Sequence, residues 1–346
     1  MEHDLEKKYL LSIIKRLIIL VFILIFSIVM LPIIFYYSIQ PEKIVPQIPP
    51  MWQFEIDSST IKNYWIPASI DNIQDEKEKS IINYGKELIE HTSIYFGPKG
   101  LLSNSSNGMN CQNCHLKAGT AIFGNNYGSV NSLYPKFRAR SGSKENLFKR
   151  VNDCFERSLN GKSIDTNGNE MIAMTSYINY IGSNLPKGTK AEGSGLKDIL
   201  YLNRPANPRL GKISYLIKCQ SCHQSNGEGI LNLDKTEYTY PPLWGIHSYN
   251  DGAGLYRVSN LAKFIKYNMP QGATHESPIL TDEESWDIAA YVNSQPRPHK
   301  NVPTDWPDIS KKPIDHPFGP YNDSFSQFQH KFGPYKSIIE FYKKNK

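Results

Sequence analysis

The sequence predicts an all-α protein in which an N-terminal transmembrane helix precedes two tandem helical domains and an extended C-terminal tail. The first observation behind this fold class is a charge-free apolar run of 21 residues from Leu17 to Tyr37. The second is the pentapeptide C-x-x-C-H, which occurs at residues 111–115 and again at residues 219–223. The third is that apolar residues recur at helical spacing before and after each pentapeptide.

The apolar run is long enough to cross a bilayer. At about 1.5 Å per residue it spans about 30 Å, the thickness of the hydrocarbon core. A cleaved signal peptide would have a shorter apolar stretch ending in small residues, whereas this run continues into Tyr36, Tyr37 and Pro41. We therefore favour a single-pass inner-membrane anchor, with a soluble periplasmic protein after signal cleavage as the alternative. Cations precede the run, so the positive-inside rule places the remaining chain in the periplasm: Lys7, Lys8, Lys15 and Arg16.

Each pentapeptide has the pattern of a c-type haem attachment site. In that pattern the two thiols form thioether bonds to the porphyrin and the adjacent His becomes the proximal iron ligand. A zinc ribbon is the competing interpretation, but it would place its second Cys pair about 15–20 residues after the first. The pairs here begin at residues 111 and 219. The sequence therefore predicts two covalently bound haem c groups, held by Cys111, Cys114 and His115 and by Cys219, Cys222 and His223.

The pentapeptides divide the chain beyond the anchor into two domains. Amphipathic stretches at 79–89 and 211–217 precede them, and closing helices are predicted at Glu170–Tyr180 and Asp282–Ser294. This order of helix, haem motif, loop and helix resembles the class I cytochrome c fold, in which a small all-α shell surrounds a haem. The predicted boundaries are 1–40 for the N-terminus and anchor, 41–77 for a tether, 78–186 for the first domain, 187–207 for a linker, 208–298 for the second domain, and 299–346 for the tail that packs on the domains.

The second domain offers a methionine as the distal iron ligand. Met269 lies 46 residues after His223 and is followed by Pro270, which is the usual arrangement of a Met ligand in a cytochrome c. Met/His ligation raises the reduction potential of the iron. A core methionine is the alternative interpretation. His247 and His275 are weaker candidates, which we expect in solvated loops.

In the first domain the corresponding position holds a cysteine. Met269 lies 22 residues before Tyr291 of the closing helix, and Cys154 lies 23 residues before Tyr177, the equivalent tyrosine. The methionines of this domain do not fit, because Met171 and Met174 belong to the closing helix and Met109 is too close to Cys111. We therefore predict His115/Cys154 ligation of the first iron, with a buried bystander thiol as the alternative. A thiolate ligand would lower the potential of this haem.

The segment around Cys154 is rich in cations. They outnumber the nearby acidic residues Glu145, Asp153 and Glu156 and would favour a thiolate and attract a small dianion. Arginine suits the oxygens of a sulfonate because it donates paired hydrogen bonds. The alternatives are a solvated basic face or arginines paired with haem propionates. The six cations are Arg138, Arg140, Lys144, Lys149, Arg150 and Arg157.

Taken together, these motifs resemble the thiosulfate dehydrogenase / tetrathionate reductase family of dihaem c-type cytochromes. The resemblance extends from about Ile81 through the two haem motifs and the segment 150–161 to the tail motifs at 313–321 and 329–334. It implies that the first haem and its Cys ligand form the active site, with Cys154, Arg140, Arg150 and Ser158 as catalytic and binding residues. Some members carry Lys before the distal Met and exchange ligands there. This chain has Asn268, so no such exchange is expected.

The resemblance implies oxidation of two thiosulfate ions to tetrathionate, or the reverse, with electrons passing to an external c-type cytochrome or another periplasmic carrier. One alternative is a membrane-tethered dihaem electron-transfer protein without a substrate, against which the cysteine at position 154 argues. Another is the thiosulfate-binding subunit of a larger sulfur-oxidising complex. A net charge of +6 with 12% aromatic residues does not indicate nucleic-acid binding.

Overall fold

The computed structural model describes residues 2–39 and 63–345. The chain divides into two compact units, Met1–Ile61 and Lys62–Lys346. The first unit contains helix α1, Glu2–Ile39, in which Leu11–Leu31 has a mean hydropathy of 2.8. Of the described helices it alone is long and apolar enough to cross a membrane, a property that N-terminal signal sequences share. The predicted tether falls mostly outside the described residues.

The first haem motif lies in a domain of six helices and one hairpin. Helices α2 and α7 pack against each other, and Gly85 of α2 permits their close approach, since a Cβ atom there would lie 2.0 Å from the carbonyl oxygen of Ala173. The elements are α2 Glu76–Glu90, α3 Thr92–Phe96, α4 Leu116–Gly119, α5 Val130–Leu133, β1 Lys136–Arg138, β2 Ser143–Glu145, α6 Leu147–Arg157 and α7 Asn169–Ile181. Strands β1 and β2 pair antiparallel, with Arg138 opposite Ser143.

The second haem motif lies in a domain with the same arrangement of first and closing helix. Here Gly211 permits the close approach, because a Cβ atom there would lie 1.8 Å from the carbonyl oxygen of Asp287. Thr281 caps the closing helix in a capping box with Glu284. The elements are α8 Pro208–Lys218, α9 Gln220–His223, β3 Ile230–Leu231, β4 Tyr238–Tyr240, α10 Val258–Asn268 and α11 Asp282–Ser294. The fold class is confirmed as mostly helical, and the two small hairpins and helices α6 and α10 lie where only loops were predicted.

Two hydrophobic cores correspond to the two domains. Leu88, Phe155 and Tyr177 are buried in the first core, and Tyr215 and Trp286 in the second. The cores are not independent, because Tyr249 and Tyr256, which follow the second haem motif, belong to the first core. The two domains therefore pack as parts of one unit.

The C-terminal tail is not extended throughout. It contains helices α12, Gln327–Phe332, and α13, Lys336–Lys344. Ser326 caps α12 by accepting a hydrogen bond from the backbone N–H of Gln329 at 3.2 Å. Ile338 of α13 is fully buried in the second core together with Tyr335. Burial of this apolar face explains why a proline-rich segment forms a helix at its end.

Candidate active site

Both histidines of the haem motifs bind a backbone carbonyl through one ring nitrogen. Nδ1 of His115 lies 2.5 Å from the carbonyl oxygen of Asn125, and Nδ1 of His223 lies 2.8 Å from that of Pro241. A carbonyl only accepts, so Nδ1 carries the proton in each ring and the Nε2 lone pair is free for a metal. Burial lowers the pKa of His115 to about 4 and also lowers the pKa of His223. Both rings are therefore neutral at physiological pH.

The thiols of the motifs lack the further ligands that a bare metal ion would need. Burial raises the pKa of Cys111 and Cys114 to about 12, and that of Cys219 to about 11. A structural zinc site needs four ligands, so two cysteines and one histidine do not complete one. Within residues 63–345 no group of three or more His, Cys, Asp or Glu side chains could hold a metal ion. These observations argue against the zinc interpretation.

A cavity of about 1130 Å³, lined by residues of both domains, is large enough for a haem. His223 and Met269 both line it, together with Cys219, Cys222 and apolar side chains from α10 and α11. Met269 caps the end of α10, and its backbone N–H donates to the carbonyl of Ile265 at 2.9 Å. The donor set of two thiols, an imidazole and a thioether is the set that haem c requires.

The same cavity reaches the first haem motif. Cys114 and its neighbour Asn113 line it, as do Cys219 and Cys222 of the second motif. The side chain of Asn268 donates to the carbonyl of Phe123 at 3.2 Å and so connects the two domains beside this cavity. Both motifs thus face one continuous space.

One expectation about the alternative histidine ligands of the second domain was wrong. His247 is exposed, as predicted for a solvated loop. His275, however, is only 12% exposed, lines the cavity with Met269, and packs its ring against Tyr64 and Phe123. Aromatic packing across the domain boundary buries this histidine, and a pattern within one loop does not reveal such packing.

Helix α6 presents three of the predicted site residues on one face. Asn146 caps the helix by accepting from the backbone N–H of Lys149 at 2.9 Å, and Phe155 is fully buried. Arg150, Cys154 and Ser158 are spaced four residues apart along α6 and its C-cap, so their side chains share a face. Burial is the larger cause of the raised thiol pKa of Cys111 and Cys114, and Cys154 also raises it. Cys154 therefore lies close to the first haem motif.

The six cations in the segment around Cys154 differ in the partners that they contact. Arg157 forms a bidentate ion pair with Asp305 at 2.8 Å, and Lys149 pairs with Asp153 at 3.1 Å. Arg138 lies 3.8 Å from Glu145, and Lys144 is exposed.

Two of the arginines, Arg150 and Arg140, have terminal nitrogens with no hydrogen-bond partner among the described residues, although Nε of Arg140 lies 4.0 Å from Oδ2 of Asp305. No carboxylate within residues 63–345 pairs with Arg150, whose pKa is raised chiefly by Cys154. Burial, together with the charges of Arg157 and Arg150, lowers the pKa of Arg140 to about 10, so the guanidiniums of Arg140, Arg150 and Arg157 lie near one another. Arg150 thus lies beside Cys154, and Arg140 lies near Arg150.

Sequence reasoning missed the groups that orient these residues. The carbonyl acceptors of Asn125 and Pro241 are backbone atoms, which leave no signal in residue identity. Asp305 belongs to the tail and lies 148 residues from its partner Arg157. The one feature of the sequence that could have drawn attention to Asp305 is its position next to Trp306 in a proline-rich segment.

Comparison with known proteins identifies both domains. Residues 102–186 match the SoxA/TsdA cytochrome c domain, and residues 209–296 match the cytochrome c domain. A thiosulfate dehydrogenase of Psychrobacter arcticus is 38% identical over 237 residues, covering 68% of this chain and 69% of the relative. A thiosulfate dehydrogenase of Allochromatium vinosum is 37% identical over 202 residues, covering 57% of this chain and 73% of the relative.

A solved structure agrees with these relatives. The thiosulfate dehydrogenase TsdBA of Marichromatium purpuratum superposes with a TM-score of 0.64 at 28% identity, covering 75% of this chain. This chain spans 54% of that longer protein. With two cytochrome c domains and relatives that match over most of their length, the chain belongs to the thiosulfate dehydrogenase family.

Proposed function

We propose that this chain joins two thiosulfate ions into tetrathionate, or catalyses the reverse reaction, at the first of two covalently bound haems. The observation that carries the proposal is the common face of α6, which brings Arg150 and Ser158 to either side of Cys154 beside the first haem motif. A protein that only transfers electrons has no need of an unpaired arginine next to a distal thiolate.

The proposal assigns the residues that would hold the haems. Cys111, Cys114 and His115 would hold the first haem, with Cys154 as the distal iron ligand. In the second domain the holding residues are Cys219, Cys222 and His223, with Met269 as the distal ligand. Bound haem supplies one-electron redox chemistry, so two haems match the two electrons that joining two thiosulfates releases.

Arg150 and Arg140 bind the thiosulfate dianion in this proposal. Both guanidiniums are partly buried, and a charge-assisted hydrogen bond is stronger where water is excluded. The sulfonate end would face the arginines, which leaves the outer sulfur directed at Cys154. Ser158, one turn beyond Cys154, would offer a hydroxyl donor to the same oxygens.

Cys154 is the nucleophile in this proposal. Its thiolate forms a sulfur–sulfur bond with the outer sulfur of thiosulfate as two electrons are removed, which gives a cysteine S-thiosulfonate. A second thiosulfate then attacks the sulfur bonded to the cysteine. The cysteine–sulfur bond breaks, tetrathionate leaves, and the thiolate is restored. The neighbouring positive charge of Arg150 stabilises that leaving thiolate.

The remaining proposals concern location and partner. Helix α1 would anchor the chain in the inner membrane and hold the catalytic domains in the periplasm, and signal cleavage is the alternative. An external c-type cytochrome or another periplasmic electron carrier would accept the electrons.

Cys154→Gly tests the proposal directly. We expect the variant to lose tetrathionate formation while both haems stay attached, because attachment depends on the other four cysteines. The assay is thiosulfate oxidation with an artificial acceptor, alongside covalent haem content. Met174→Leu, a near-isosteric change in the first core, serves as the control and should keep activity. Wild-type turnover in Cys154→Gly would leave the chain as an electron-transfer cytochrome without chemistry at this thiol.

A further inference from the structure

We propose that the C-terminal tail completes the active site, with Asp305 and Trp306 as positioning residues that fix where Arg140 stands relative to Cys154. The inference rests on the proposed function, because it takes Arg140 to be a substrate-binding residue. It adds a requirement that neither the haem motifs nor α6 reveals: a segment about 150 residues further along the chain braces the site.

Asp305 connects the two elements that carry substrate residues. Its carboxylate accepts from Nη1 and Nη2 of Arg157 at 2.8 Å each, and Oδ2 lies 4.0 Å from Nε of Arg140. Arg157 follows Cys154 by three residues on α6, whereas Arg140 lies in the turn between β1 and β2. The three side chains are 11–16% exposed, so solvent screens these contacts little. One carboxylate thus sets the spacing between the turn and the helix.

Trp306 holds the backbone and the side chain of Arg140 at once. Its backbone N–H donates to the carbonyl of Arg140 at 2.6 Å, and its ring centroid lies 5.8 Å from Cζ of the guanidinium. The residue has a φ of +61°, in the left-handed region that bulky side chains adopt only where surrounding contacts hold them. Trp306 keeps this uncommon backbone conformation while it contacts Arg140, which indicates that the contact helps to position Arg140.

The flanking tail residues cover the same hairpin. Gly142, the turn residue with a φ of +63°, packs so closely on Pro307 that a Cβ atom would lie 2.6 Å from its Cγ. Further along, Nζ of Lys311 lies 5.4 Å from the ring centroid of Phe137 in β1. A two-stranded hairpin is marginal by itself, so these contacts supply the rigidity that a binding residue in its turn requires.

The arrangement leaves Arg140 free for an anion while it neutralises Arg157. Both terminal nitrogens of Arg157 donate hydrogen bonds to Asp305. Arg140 meets the same carboxylate only through Nε and at 4.0 Å, so among the described residues no hydrogen bond occupies its Nη1 and Nη2. The tail therefore positions Arg140 and leaves its paired donors free to bind an anion.

The test compares tail variants with and without Arg140. Trp306→Asn removes the ring but keeps the N–H donor and a residue that tolerates the left-handed backbone. Asp305→Asn removes the charge, and because it leaves Arg157 unpaired, Trp306→Asn carries the test independently. Asp308→Asn is the matched control, since its exposed carboxylate has Lys311 and Ser310 as its side-chain and backbone partners within residues 63–345. Each change is made in the full chain and again together with Arg140→Leu.

We expect both Trp306→Asn and Asp305→Asn to lower kcat/KM for thiosulfate by about tenfold to a hundredfold, the cost of a misplaced binding group. Haem content and optical spectra should equal those of the control. In the Arg140→Leu background the same changes should have almost no further effect, because the tail acts through Arg140.

Four results would overturn the inference. Wild-type kinetics in Trp306→Asn, or a loss that adds in full to that of Arg140→Leu, would separate the tail from Arg140 while leaving the proposed function intact. Loss of haem from Trp306→Asn would make the tail merely structural. Normal turnover in Arg140→Leu itself would remove the role of Arg140 in the proposed function, and the inference with it.

Discussion

Replacing Arg150 by Leu separates substrate binding from haem ligation. Within the described residues Arg150 forms no ion pair with a carboxylate, and the nearby buried Glu145 keeps Arg138 and Lys149 as partners, so removing Arg150 should cost the fold little. Removing Arg150 should instead weaken the binding of the thiosulfate dianion. A charge-assisted contact at a desolvated site contributes about 2–4 kcal/mol, which corresponds to a fall in kcat/KM of about 30-fold to 900-fold. Arg150→Lys should restore only part of this, because an ammonium lacks the planar paired donors.

The assay is steady-state thiosulfate oxidation with an artificial acceptor, with the optical spectrum and haem content of each variant. Lys149→Leu is the matched control from the same helix, since Lys149 is 49% exposed and its carboxylate partners among the described residues are Glu145 and Asp153. It should change kcat/KM little, because the lysine is exposed and the buried Glu145 keeps Arg138 as a partner. Normal turnover in Arg150→Leu would place the residue outside the binding site. A lost or shifted haem band would make it structural.

Two further predictions concern the second domain. Met269→Ala should lower the reduction potential of the second haem without detaching it, because Met/His ligation raises the potential; a potentiometric titration with an unchanged value would assign the distal position to another group such as His275. Asp287→Ala should destabilise the domain by about 2–3 kcal/mol, since its carboxylate is 5% exposed and accepts from Arg204 and from the backbone N–H of Asn207. Denaturant unfolding measures that loss, and Glu283→Ala on the exposed face of the same helix should be near neutral.

Local patterns predicted the parts of the structure that local forces determine. The closing helix of the second domain begins and ends at Asp282 and Ser294 as predicted, because a capping box and a helical apolar period specify it. The spacing of Arg150 and Cys154 likewise implied a shared face as soon as the segment proved helical.

Contacts between distant segments could not be predicted in this way. Nothing near Arg157 in the sequence indicates that Asp305 neutralises it, because the pairing depends on how the tail folds back over the first domain. The hairpin of β1 and β2 is short, polar and held by the tail, so it lacks the alternating pattern of an independent sheet. His275 is buried for the same reason, through side chains of the other domain.

In the proposed function the first iron is held by His115 and Cys154 and the second by His223 and Met269. Low-temperature EPR of the fully oxidised protein tests it most directly, because a thiolate-ligated low-spin haem gives a signal different from that of a His/Met haem. We predict two low-spin ferric signals of these two kinds, with the thiolate signal absent in Cys154→Gly and the other unchanged. Two signals of the His/Met kind in the unaltered protein, or a spectrum that Cys154→Gly does not change, would contradict the account.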